Sequence, residues 1–152
     1  MVSIRRKVLG AILAGYLLIV ATITIVPTHV GRFRIPRPNH VNLVPLGYSF
    51  KCFLQDQTSH PHLAAFCLRN TLGNIALFMP LGFLLPLTSG RLRSLTRVLA
   101  IAFCLSFSIE TIQFILRFVG NDRAVDIDDV LLNTLGACLG FVIYKLVVPA
   151  TD

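Results

Sequence analysis

The run from Val8 to Val26 holds 19 consecutive residues without a charged side chain. As a helix it is roughly 28 Å long at about 1.5 Å per residue, enough to cross a hydrocarbon core of about 30 Å. Three further apolar runs follow, at Thr71–Leu87, Val98–Leu116 and Val130–Val148. Together they predict an all-α membrane protein: a bundle of four transmembrane helices in a single domain spanning residues 1–152. The second run is the shortest and contains Pro80, which has no N–H for the carbonyl of Ala76, so a kink is expected there. Leu63, Ala64, Phe66, Cys67 and Leu68 either begin this helix early or form a short interfacial helix in the first outer loop.

Composition narrows the function classes. The chain is 55% hydrophobic and only 14% charged, against about a quarter charged in a soluble domain. That excludes an ordinary cytosolic enzyme, and equally a disordered chain. The net charge is +7, but the chain has no dense basic block and no Trp, which argues against a nucleic-acid partner. Basic flanks beside apolar spans instead orient a protein against anionic lipid.

Arg5, Arg6 and Lys7 precede the first run. A cleaved signal peptide has an apolar core of about 7–15 residues, so an uncleaved first helix is expected. Lys and Arg are equally numerous on the two sides of this topology, but the inner ones crowd into shorter segments. Both termini are therefore expected in the cytoplasm.

Cys104 and Cys138 fall inside spans and read as small packing residues. Cys52 and Cys67 share the long outer loop. A disulfide between them would close a loop of about 15 residues and add about 3 kcal/mol in an oxidising compartment; two free thiols is the other reading. His60 and His62 lie between them, but nothing supplies the further ligands of a metal site. Neither a metal nor a cofactor is expected.

The third run carries a polar stripe. Ser106, Glu110, Gln113 and Arg117 are spaced i, i+4, i+7, i+11 and share one helical face. An acid near the bilayer centre costs about 2.5–3.5 kcal/mol on insertion scales, so Glu110 should face the bundle interior and have partners. Asp129, Asn133, Gly136 and Gly140 repeat that spacing in the fourth run. Gly136 and Gly140 form a GxxxG, which lets a neighbouring backbone approach closely, and Asp128 or Asp129 is placed to cap the helix. Asn74 lies at similar depth in the second run. These polar faces should meet as a cleft opening outward, with the glycine pair closing its inner half. A polar clamp that only holds the helices together is the competing reading.

Four blocks in order resemble the VanZ-like family of small bacterial membrane proteins: NLVP at Asn42–Pro45, NIALFMPLGFLLP at Asn74–Pro86, IETIQF at Ile109–Phe114, and DIDDVLLNTLGACLG at Asp126–Gly140. The resemblance covers most of the chain after the first helix. It implies a multi-pass protein of the bacterial inner membrane. It carries the family's polar positions onto Asn42, Asn74, Glu110, Gln113, Asp126, Asp129 and Asn133. The family's founding member is associated with teicoplanin resistance. Arg32–Pro38 and the Cys52/Cys67 pair stand outside the shared pattern.

Three function classes follow. The first is a non-enzymatic envelope protein, with membrane lipids as its surroundings and a lipid-linked wall precursor or lipoglycopeptide bound in the cleft. Arg117 and Arg123 would meet a phosphate there. The second is an intramembrane enzyme on a lipid or wall precursor, with Glu110 as general acid or base beside Asp126 and Asp129. No HExxH or GxSxG motif accompanies them. The third is proton- or ion-coupled transport, which four short helices without an inverted repeat would perform only as an oligomer.

Overall fold

The structure, a computed structural model, describes residues 2–25, 41–47, 61–119 and 125–148. Four long helices dominate: α1 (Val2–Ile25), α2 (Pro61–Thr88), α3 (Leu95–Leu116) and α4 (Ile127–Val147). Each contains a segment long and apolar enough to cross a membrane: Ile4–Ile25, Cys67–Thr88, Leu95–Leu116 and Ile127–Val147. All four expected runs lie within these helices, save Val26, which is outside the described residues, and Val148, which follows the last helical residue of the fourth. The helices also reach beyond the apolar runs, because a helix need not stop where its hydropathy does. α2 in particular starts at Pro61, so Leu63–Leu68 forms the beginning of the spanning helix. Proline suits that first position, where an N–H would have no intrahelical partner.

α4 is the axis of the bundle, packed on both α2 and α3, with α1 laid more loosely against α2 and α3. Contacts between α3 and α4 pair Ser106 with Asn133 and Glu110 with Asp126, so these helices run antiparallel. Ile75 meets Gly136 and Met79 meets Gly140, so α2 and α4 run parallel. Directions therefore alternate along the chain, and Ile25, Asn70, Gln113 and Asp126 gather at one end of the bundle, hereafter the acidic end.

Between α2 and α4 the backbones touch. A Cβ at Gly82 would overlap the carbonyl oxygen of Ala137, one at Gly136 that of Ile75, and one at Gly140 that of Met79. The neighbour that the GxxxG pair receives is thus α2. The reason is on the facing surfaces: α2 brings a bare Gly82 to the seam, whereas α3 presents Val98, Ala102 and Ile109. Phe78, Leu81, Val98, Ala102 and Ala137 fill the core, each no more than 1% exposed. Lipid tails are as apolar as leucine, so this core holds by close packing and interhelical hydrogen bonds rather than by expulsion of water. Leu18, Ile115 and Leu146 stand exposed on the outer surface, as lipid-facing residues should.

α2 passes through Pro80 and Pro86 without a break. The carbonyl of Leu77, beside the one that Pro80 leaves without an N–H, accepts the Tyr16 hydroxyl from α1. Near the other end of the bundle the Lys145 ammonium lies 5.7 Å from the Phe141 ring centroid, a cation–π contact.

Cys67 is buried and disulfide-bonded, while Cys104 and Cys138 are free. Cys52, the expected partner, lies outside the described residues, as do Arg32–Pro38, His60 and Arg123.

Two tests address this packing. Gly140→Ala should lower stability by about 1–3 kcal/mol through overpacking, measured by unfolding in detergent. Gly10→Ala, with nothing within 4 Å, should be neutral or slightly stabilising; equal effects would contradict the seam. Thiol labelling of the denatured, unreduced chain should modify Cys104 and Cys138 and spare Cys67.

Candidate functional site

The site is assembled from the acidic end inward. Val41–Asn42 pairs in parallel with Val125–Asp126 as two short strands, β1 and β2, with Asn42 opposite Asp126. This pairing docks the first loop onto the start of α4. Asn42 then acts twice. Its amide nitrogen donates to Asp126 Oδ1 at 2.8 Å, and its amide oxygen accepts from Val44 N at 3.2 Å. Pro45 and Leu46 turn the chain, closed by Gly47 N donating to Val44 O at 3.0 Å. Leu46 sits at φ 60°, as the third position of a type II turn requires. Its N–H points to the carboxylate of Asp128. The Asn42–Pro45 block is therefore a tether between the first loop and α4.

Asp126, not Asp128 or Asp129, caps α4: its Oδ1 accepts from Asp128 N at 3.0 Å. The strand pairing sets this, because it holds Asp126 extended, and an N-cap residue must lie outside helical geometry. Burial pushes the Asp126 carboxyl above the usual aspartate range. Ionising it thus costs more in the folded chain than in the unfolded one. This contribution weakens the fold as pH rises through the folded-state pKa.

All four stripe residues are buried, three in α3 and Arg117 at its C-cap: Ser106 at 0%, Glu110 at 7%, and Gln113 and Arg117 at 6% exposure. Each is directed differently. Glu110 Oε2 accepts the backbone N–H of Asp126 at 3.0 Å, tying the middle of the site to the cap. Gln113 donates to the carbonyl of Thr24 on α1 at 2.8 Å. Ser106 Oγ accepts from the Asn133 amide at 2.8 Å. Asp129 is held from α2, where Asn70 and Asn74 both donate to its Oδ1. Asn133 Oδ1 is buried with no hydrogen-bond partner, a costly state for an acceptor unless something fills it.

Glu110 lines two cavities. One, of about 310 Å³, is the more polar: Asn74, Glu110, Gln113, Asp129 and Asn133 contribute to its wall beside Ile23, Leu77 and Ile109, with Arg69 and Asn70 at the acidic end of α2. The other, of about 260 Å³, is walled mainly by apolar groups, among them Leu43, Phe107, Phe114 and Val130, with Asp126 beside Glu110. Of the sequence-derived candidates, Asn74, Glu110, Gln113, Asp129 and Asn133 are brought together in the polar cavity. Asn42 acts behind it through Asp126. Arg117 is buried, is engaged within the protein and lines neither cavity. The lining residues Arg69, Asn70 and Thr24 escaped the sequence reading. Among the described residues, no group of three or more His, Cys, Asp or Glu side chains is arranged to hold a metal.

The cap has a direct test. Asp126→Ala should cost about 0.5–2 kcal/mol and speed amide exchange across residues 42–46. Asp126→Asn, which keeps a capping oxygen but no charge, should cost less and flatten the fall of stability with rising pH.

No curated protein and no solved structure matches the chain. The VanZ/LLP1 family profile matches residues 13–148, a stretch that takes in most of α1, the Asn42 tether, both cavities and the glycine seam. The chain belongs to the VanZ/LLP1 family.

Proposed function

We propose that this multi-pass protein works without turnover as a binder of one amphipathic, lipid-linked molecule at the cell envelope, a wall precursor or a lipoglycopeptide. In this reading it lies in the bacterial inner membrane with both termini cytoplasmic, the acidic end faces outward, and binding contributes to glycopeptide resistance of the teicoplanin type. One observation carries the reading: Glu110 lines both a polar cavity of about 310 Å³ and an apolar one of about 260 Å³. A molecule with a polar head and an alkyl chain matches two such volumes side by side. Pockets that combine apolar walls with a few convergent polar groups are the usual form of small-molecule sites.

The alternative of an intramembrane enzyme draws on Glu110 and Asp129 lining one cavity. Against it, Glu110 Oε2 is taken by a backbone N–H and Asp129 Oδ1 by two amides, so both acids are already engaged in holding the fold.

The test is binding of a lipoglycopeptide and of a lipid-linked wall precursor to the full chain in nanodiscs. Thr111→Phe, which places a ring in the apolar cavity, should weaken binding about tenfold, equivalent to about 1.4 kcal/mol. Unchanged affinity for both ligands would reject the reading. Turnover of the precursor that disappears in Asp129→Asn would replace it with the enzyme. For the resistance claim, a deletion strain should become more susceptible to teicoplanin, and no change would remove that part alone.

A further inference from the structure

Opposite the acidic end, a short turn joins α2 to α3. Leu92 packs against the core, and the residues on either side of it, Arg91 and Arg93, are exposed. The backbone here is fixed as one turn of 3₁₀ helix, Gly90–Leu92. Leu92 N donates to Ser89 O at 2.9 Å, Arg93 N donates to Gly90 O at 3.3 Å, and Ser89 Oγ accepts from Arg91 N at 3.3 Å. Arg97, exposed near the start of α3, donates from its guanidinium to the Arg91 carbonyl. An ordered turn thus carries three guanidinium groups close together.

Neighbouring helices bring further positive charge to the same level. Gln113 meets Thr24, so 17 residues back along these two parallel helices Lys7 stands about level with Thr96. Asn133 meets Ser106, so 12 residues on along α4 and 12 back along α3 Lys145 stands about level with Ser94. The acids among the described residues, Glu110, Asp126, Asp128 and Asp129, all lie toward the acidic end. No carboxylate among the described residues therefore balances the turn, and like charges gathered in this way repel until a counter-charge arrives. Beside the cations stand apolar side chains: Leu95, at the start of α3, and Leu146, next to Lys145, are both exposed. An anion that carries an alkyl chain answers both features, whereas a free phosphate answers only the charge.

We propose that the turn between α2 and α3 binds an anionic membrane phospholipid, with Arg91, Arg93 and Arg97 receiving its phosphate and an acyl chain lying along α3 past Leu95. Guanidinium groups offer paired N–H donors that match phosphate oxygens. The turn joins the spanning segments Cys67–Thr88 and Leu95–Leu116, at the depth where headgroups lie. None of these arginines lines either cavity, so this second site stands independently of the ligand proposed there.

The full chain in detergent micelles is titrated with phosphatidylglycerol and phosphatidylcholine of identical acyl chains and read by native mass spectrometry. Phosphatidylglycerol should bind at least about tenfold more tightly, because each nearby Lys or Arg adds to the attraction for an anionic headgroup. Arg91→Gln, Arg93→Gln and Arg97→Gln together should bring the two lipids within about twofold of each other. Phosphatidylcholine binding should stay unchanged, which reports that the variant is folded. Arg93→Gln alone should lower the preference about threefold and supplies the readout if the triple variant does not fold. Arg5→Gln, Arg6→Gln and Lys7→Gln together remove the same charge from α1 and should lower it less than the triple turn variant. Inorganic phosphate at the concentration of the lipid should not displace phosphatidylglycerol. Equal binding of the two lipids by the unaltered chain overturns the proposal. A preference that survives the turn variants, or falls as far in the α1 variant, overturns the assignment to the turn. Displacement by inorganic phosphate overturns the lipid as its occupant.

Discussion

The bond from Asp126 N to Glu110 Oε2 is the constraint around which the rest is arranged. Glu110 sits in a spanning helix, where an acid has no water to rely on and must find its partner inside the protein. The partner is a backbone N–H immediately before α4. Meeting that need fixes the position of α4 against α3, and therefore the depth at which Asn133 faces Ser106. It also places Asp126 where its own side chain can cap α4 and receive Asn42. One carboxylate thus couples a membrane helix, a helix cap and the first loop. Removing it would leave three elements without a common reference.

The glycine seam makes the complementary contribution on the other side of α4. With the backbones of α2 and α4 in contact at Gly82, Gly136 and Gly140, α2 is drawn close along the length beyond the cavity. Asn70 and Asn74, nearer the acidic end, then lie within reach of Asp129. Close packing where the residues are small and a polar space where they are not follow from the same pair of helices. α1 closes the remaining side through Tyr16 and the Thr24 carbonyl.

Much of this was legible in the chain. The i, i+4, i+7, i+11 spacing put Ser106, Glu110, Gln113 and Arg117 on one face, and the cost of charge in lipid turned that face inward; all four are buried. Asn74, Asp129 and Asn133 followed from depth and spacing. Asn42 did not: it lies in a loop, where no periodicity operates, and only the family resemblance singled it out. Thr24 was hidden because its backbone carbonyl acts, a group every residue carries. Asn70 fell just outside the hydropathic run, although α2 continues through it. The cap was misassigned to Asp128 or Asp129 because the start of α4 depends on strand pairing with residues some 80 positions earlier. The direction of the glycine pair depends on which neighbour is also bare, a pairwise property that one helix does not reveal. The fate of Arg117 shows the limit of a stripe: sharing a face with Glu110 did not bring it to either cavity.

The central claim is that the two cavities lined by Glu110 form a single site for one molecule lying across them. Photolabelling of the full chain with two versions of one lipid, carrying a diazirine in the headgroup or midway along the acyl chain, tests it most directly. The account predicts that the headgroup probe marks the polar cavity around Asn74 and Asn133, and the chain probe the apolar cavity around Phe107 and Phe114. An excess of the unlabelled lipid should suppress both sets together. Labelling by the two probes that competes separately, or that spreads evenly over the lipid-facing surface, would contradict it.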